Sequence, residues 1–209
     1  MPYSIKETFY SLQGEGFHSG RPAVFLRFSG CNLWTGRETD RGSAVCSFCD
    51  TEFVGTNGAG GGKFSSANEL AIHVRKLWRA NGDPFVVCTG GEPLLQLDPN
   101  LIAALHEQGC EIAVETNGTI LPPPDLDWIC VSPKAGSKLV IRAGDELKLV
   151  YPQMDAPPER FENLDFQHFF LQPMDCEQFE DNTHASLQYC LENPQWKLSL
   201  QLHKQLGIP

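Results

Sequence analysis

Cys31, Cys46 and Cys49 are spaced C-x14-C-x2-C directly after a strand-like run, and the nearest histidines, His18 and His73, lie at no ligand-like spacing. Three thiolates without a fourth ligand leave a coordination position open. That suits a centre that binds and activates something, rather than a closed metal knot. A structural zinc site would want four ligands, commonly two CxxC pairs or one pair with histidines. A bare CxxC dithiol would serve redox exchange but gives Cys31 no part. A 4Fe–4S cluster held by three thiolates, with one iron free for an exogenous chelate, accounts for all three and is the reading adopted. The zinc knot and the dithiol are the alternatives.

The other chemistry-bearing residues follow the ends of apolar runs. Thr89 and Glu92, Glu115 and Asn117, Ser132 and Lys134, and Gln172 and Asp175 each stand just past one such run. In parallel α/β folds the strand C-termini are where ligands bind, so a set recurring over four strands points to one polar mouth.

Short apolar runs at 23–28, 85–88, 111–115, 128–131, 146–150 and 169–171 predict about six buried, non-alternating strands. Helical patterns lie at 68–80, with Ser65 or Ser66 as cap, at 100–108, closed by Gly109, and at 186–192. A short run at 196–200 finishes the chain. Strands buried on both faces with helices between them imply a parallel sheet. A complete eight-unit barrel typically takes ~250 residues. The expectation is therefore α/β: a partial (β/α)6 TIM-like barrel, one domain over 1–209. The glycine-rich patch 55–62 reads as a flexible surface loop, alternatively a lid.

A formal charge of −10 argues against sequence-independent nucleic-acid binding, which needs a basic face. No apolar run approaches the ~20 residues that span a bilayer, and no secretory leader is apparent. Eight cysteines suit a reducing compartment, so a soluble cytoplasmic protein is expected. Cys88, Cys110 and Cys130 read as small buried hydrophobes, Cys176 and Cys190 as free thiols.

These motifs resemble the radical S-adenosylmethionine enzymes and, most closely, the 7-carboxy-7-deazaguanine synthase family. The usual superfamily spacer between the first two cysteines is three residues. The replacement here, 32–45, matches a subset of that family, and the residues leave open whether it is a helix or a loose loop. The likeness runs from Leu12-Gln13-Gly14-Glu15-Gly16 to Pro209.

The resemblance implies S-adenosylmethionine, a 4Fe–4S cluster and Mg²⁺ as cofactors, and a deoxyadenosyl radical acting on 6-carboxy-5,6,7,8-tetrahydropterin. It places Phe48, Cys49 and Asp50 beside the cofactor, with Gly91 and Glu92 of Thr89-Gly90-Gly91-Glu92-Pro93 at its methionyl ammonium. Glu115, Asn117, Ser132, Pro133 and Lys134, then Gln172, Pro173, Met174 and Asp175, follow along its ribose, adenine and carboxylate. It gives Leu12, Gln13, Gly14, Glu15, Arg27 and Thr89 to the substrate, closed over by His203 and the carboxylate of Pro209, with Thr51 on Mg²⁺. Each has a plainer reading: GGEP as a strand-to-helix turn, Arg27 as a half-buried ion pair, Thr51 as a helix cap, His203 as surface. The resemblance also implies a homodimer and an electron donor such as flavodoxin or ferredoxin. The alternatives in function are a glycyl-radical-enzyme activase and a non-enzymatic zinc-binding module.

Overall fold

Alternation within each strand assigns one face to the core and the other to the site. The computed structural model of the protein describes residues 2–209. The chain runs β1 (Tyr3–Leu12), β2 (Pro22–Phe28), β3 (Gly62–Phe64), α1 (Ala67–Leu77), β4 (Phe85–Gly90), α2 (Pro99–Glu107) and β5 (Glu111–Thr116). It continues through β6 (Trp128–Val131), β7 (Ala143–Tyr151), β8 (Asp165–Pro173), α3 (Phe179–Glu192), β9 (Trp196–Leu198) and α4 (Leu202–Leu206). One sheet results, ordered β3-β1-β2-β4-β5-β6-β7-β8-β9. From β2 onward every neighbouring pair is parallel; β1 is antiparallel to both β2 and β3.

In β2, Val24, Leu26 and Phe28 face the main core, as do Val86 and Cys88 of β4, Ile112 and Val114 of β5, and Leu147 and Leu149 of β7. Leu70 and Val74 of α1 and Leu101 and Leu105 of α2 close over them. Fully burying each such side chain contributes roughly 1.5–3 kcal/mol. The opposite faces carry Phe25 and Arg27, Val87 and Thr89, Ala113 and Glu115, and Glu146, Lys148 and Val150, as a period of two requires. Those residues line the concave side of the partial barrel.

The helices start and stop as their sequences dictate. Ser66 Oγ accepts from the Glu69 amide at 3.2 Å while Glu69 reaches back to the Ser65 amide at 2.8 Å, a reciprocal cap. Asp98 caps α2 through the Leu101 amide at 2.9 Å, and Gly109, at φ +75°, ends it.

The structure departs from expectation in several places. The parallel architecture is as expected, but the run at 196–200 supplies a further parallel strand, β9. At the other edge β1 and β3 were not foreseen, because Lys6 and Glu7 interrupt the apolar pattern of β1. Patch 55–62 is a surface segment, as expected, but it is tied to β1: the Gly58 amide donates to the Lys6 carbonyl at 2.9 Å and the Thr8 amide to the Ala59 carbonyl at 2.8 Å. A Cβ on Gly61 would run into the Lys6 carbonyl, so these glycines serve close approach to β1. Helix bounds shift too. α1 stops at Leu77, where Trp78 turns extended and packs edge-on to Tyr10, and α3 begins at Phe179 rather than 186.

Candidate active site

The concave side opens into one mouth at the C-terminal ends of the parallel strands. Cys31, Cys46 and Cys49 all line it. Cys31 follows β2, and its loop is fixed by Gly30, whose amide donates to the Phe53 carbonyl and whose carbonyl accepts from the Glu92 amide at 2.9 Å. The 32–45 spacer is neither a long helix nor slack; it holds a short 3-10 turn over Glu38–Ser43. From that turn Arg41 donates to the carbonyls of Ser47 and Cys49, both at 2.9 Å. Its guanidinium also pairs bidentately with Glu38 and lies 4.0 Å over the Trp34 ring.

Burial pushes the Cys31 thiol up. A hydrogen bond between Cys46 and Cys49 eases ionisation of Cys49, to about 6, and hinders that of Cys46. Among the described residues no three His, Cys, Asp or Glu side chains converge on one point as ligands of a single ion would. A mononuclear zinc needs all its sulfurs about 2.3 Å from one atom. A cubane that takes one thiolate per iron wants three thiols and leaves one iron open, and Cys31, Cys46 and Cys49 are the three cysteines that line the mouth. The donor set therefore fits the cluster better than the zinc knot.

The cofactor-side residues lie where the strand ends put them. Gly91, Glu115, Asn117, Ser132, Lys134, Gln172, Pro173, Met174 and Asp175 line the mouth, and Phe48 and Asp50 join them from the cysteine loop. Glu92 and Pro133 do not. Glu92 is fully buried behind the wall, accepting from the Leu94 amide (3.0 Å), Thr116 Oγ1 (2.8 Å) and the Asn117 amide (2.8 Å). Burial raises its pKa against those donors. It caps the turn at Pro93–Leu95 and ties the end of β4 to that of β5. Pro133 is buried behind the same rim. A Cβ on Gly91 would strike the Gly30 carbonyl, so this glycine is required by the cysteine loop crossing over it.

Leu12, Gln13, Gly14, Glu15, Arg27, Thr89, Thr51, His203 and Pro209 form the other side of the mouth. Arg27 makes its ion pair with Glu7, Nε to Oε1 at 2.7 Å. The register of β1 against β2 slips between Ile5 and Glu7, an irregularity of the kind that re-aims a side chain. Gln13 Nε2 donates to Glu115 at 3.1 Å, and the Glu15 amide donates back to Gln13 Oε1 at 3.2 Å. The Leu202 amide donates to the Gly14 carbonyl at 3.0 Å, and a Cβ on Gly14 would collide with His203. Ser11 donates to the Pro209 carbonyl at 2.7 Å. Thr51 Oγ1 stands 3.5 Å from Asp50 Oδ1, half-buried and without a capping role.

Lys148, Lys204 and Gln201 are among the mouth residues that had no part in the sequence reading. Lys148 is almost wholly buried and donates to Glu15 at 2.6 Å and Glu115 at 2.8 Å. Lys204 bridges Asp50 and Asp175, each at 2.5 Å, and Gln201 donates to Glu15 at 2.9 Å. Burial alone would raise Asp50, but the hydrogen bond and charge of Lys204 hold it below the usual carboxylate range. For Lys148 a signal was available: a lysine between Leu147 and Leu149 in a buried strand must find carboxylates. For Lys204 and Gln201 there was none.

No protein-family model matches the chain. It is 60% identical over 210 residues to 7-carboxy-7-deazaguanine synthase of Bordetella pertussis and 61% identical over 209 residues to that of Bradyrhizobium diazoefficiens. Both matches cover the whole of each chain. The crystal structure of QueE from Escherichia coli superposes with a TM-score of 0.72 at 28% identity, covering 96% of this chain and 94% of that one.

Proposed function

Because the chain belongs to the 7-carboxy-7-deazaguanine synthase family, we propose that its mouth divides into a cofactor half and a substrate half for that family's reaction. The chain is a radical S-adenosylmethionine lyase that converts 6-carboxy-5,6,7,8-tetrahydropterin to 7-carboxy-7-deazaguanine with loss of ammonia, in 7-deazapurine (queuosine) biosynthesis. Its cofactors are a 4Fe–4S cluster and S-adenosylmethionine. The observation that carries the reading is that three thiols and the Leu12–Gly16 turn meet at one mouth, on a chain matched end to end by these relatives.

When bound, the cluster and S-adenosylmethionine would supply one-electron chemistry that belongs to the cofactors themselves. All other work falls to the protein. Cys31, Cys46 and Cys49 hold the cluster, and Arg41 stiffens the carbonyls between them. Gly91 backbone, Asn117, Ser132, Lys134, Gln172 and Asp175 present donors and acceptors to the cofactor's amino acid, ribose and adenine. Glu92 acts from behind by fixing Asn117.

In the substrate half, Gln13 and Glu15 offer an amide and a carboxylate to the 2-aminopyrimidinone edge. Arg27, whose Nε is held by Glu7, keeps its terminal nitrogens for the substrate carboxylate. Thr51 would offer a hydroxyl to Mg²⁺, a hard cation suited to oxygen ligands and to a carboxylate-bearing substrate. His203 and the strap through Pro209 cover the substrate and exclude water.

A flavodoxin or ferredoxin delivers the electron, and the family resemblance supports a homodimer. All eight cysteines are free, which suits the cytoplasm, and no helix among the described residues is long and apolar enough to cross a membrane. A strap lying across the mouth leaves little access for a protein loop, which speaks against the activase alternative. Anaerobically reconstituted protein, incubated with reductant, cofactor, Mg²⁺ and the carboxylated pterin, should yield a product lighter by one ammonia. A colourless, zinc-loaded protein that leaves the pterin intact would reject the reading.

A further inference from the structure

A single buried cation stands between the two halves of the mouth. We infer that Lys148 is the positioning residue that holds the carboxylates of Glu15 in the substrate half and Glu115 in the cofactor half aimed at the same time. The inference rests on the ligand assignments proposed above, but its electrostatic core rests on geometry alone.

Lys148 projects from the middle of β7 and donates to Glu15 Oε2 at 2.6 Å and Glu115 Oε2 at 2.8 Å. The free oxygens of the two carboxylates are then used elsewhere. Glu115 Oε1 accepts from Gln13, Glu15 Oε1 accepts from Gln201, and Gln13 Oε1 accepts from the Glu15 amide. The Leu12–Gly16 turn, the end of β5, β7 and the strap before α4 are thereby closed into one hydrogen-bonded ring with Lys148 as its only charge donor. Burial would raise the Glu15 carboxyl, but the Lys148 ammonium holds it below its ordinary range.

Further ionisable groups face this centre. Glu146 lies two residues earlier on the same strand face, Cys130 on β6, Lys134 in the turn after β6, and His203 on the strap beside Glu15. Carboxylates therefore predominate around Lys148. Remove its charge and Glu15 and Glu115 face each other, buried, with no cation between them, so one must take up a proton near neutrality. A protonated Glu15 misreads the guanidine-like edge of the pterin; a protonated Glu115 turns a hydroxyl acceptor into a donor.

The test compares the wild type with Lys148→Met, Lys148→Arg and the double variant Lys148→Met/Glu115→Gln. In reconstituted enzyme, Lys148→Met should raise KM for the pterin and the dissociation constant for S-adenosylmethionine about tenfold or more each at pH 7. Both should recover as pH rises, shifting the acid limb of kcat/KM upward, and Lys148→Arg should restore the wild-type limb in part. In cluster-free protein, Lys148→Met should lose stability most at high pH, and adding Glu115→Gln should return much of it. Unchanged pH limbs and a pH-independent stability loss would overturn the inference and leave Lys148 a mere packing residue. A wild type inert towards the pterin would instead reject the family reading and the ligand assignments, while the cluster-free arm still decides the electrostatic claim.

Discussion

The two sides of the mouth are held by different physics. Around the cysteines the grip is exerted on backbone: Arg41 on two carbonyls, Gly30 on Phe53 and Glu92, with the thiols left for metal. Around the Leu12–Gly16 turn the grip is charge against charge, with Lys148, Arg27 and Lys204 each set between carboxylates or against one. A metal site depends on ligand identity and fails all at once. A network of charges has redundant partners and fails by degrees, in a way that pH can reveal.

The sharpest break of that contrast is Cys46→Ser, which should lower bound iron after anaerobic reconstitution and reduce turnover to background, read by iron content and product mass. Glu7→Gln tests the charged side at one remove. It loosens Arg27 without touching the ligand, so KM for the pterin should rise by about tenfold, a change of about 1.4 kcal/mol, with kcat altered far less. Were kcat to collapse while KM held, Glu7 would belong to the chemistry instead. Arg41→Ala tests the backbone grip. The cluster should still form but bleach several-fold faster in air, followed by visible absorbance.

The smallest effect concerns Glu146. Its carboxyl is pushed up to about 7 by burial, opposed by Lys148, and it accepts from the Phe17 amide at 3.1 Å. The folded pKa lies above the unfolded value of 4.5, so the folded state binds the proton more tightly. Stability from this group is present below about pH 4.5 and is lost as pH rises through about 7. Glu146→Gln keeps the acceptor and cannot ionise. It should leave Tm unchanged at pH 4 and raise it by roughly 2–4 °C at pH 8, the shift for about 1 kcal/mol in a chain of this size.

Legibility followed the same divide. Cys31, Cys46 and Cys49 stood out directly, since few residue types bind metal, and the fold brings all three to one mouth. Thr89, Glu115, Ser132 and Gln172 could be read from their places at the C-terminal ends of the strands. The parallel core was legible because Val24, Leu26 and Phe28, and likewise Val86 and Cys88, are apolar wherever helices cover them. What stayed hidden depends on partners distant in sequence. β1 carries Lys6 and Glu7, whose charges make sense only beside Glu52, Asn57 and Arg27. The 55–62 glycines look slack until β1 lies beneath them. Glu92 reads as a ligand by its motif, yet it is fully buried behind the mouth's wall, bonded to Leu94, Thr116 and Asn117. Lys204 lies in a helix of five residues, and nothing local points it towards Asp50 and Asp175.

The brace that Arg41 makes inside the spacer has a consequence for how the protein matures. A fourteen-residue excursion of free chain would have to be frozen whenever iron and sulfide arrived, and the loss of chain entropy would weaken their capture. With Trp34, Glu38 and two carbonyls gripping one guanidinium, that ordering would come with folding, and an inorganic core would meet a socket already shaped.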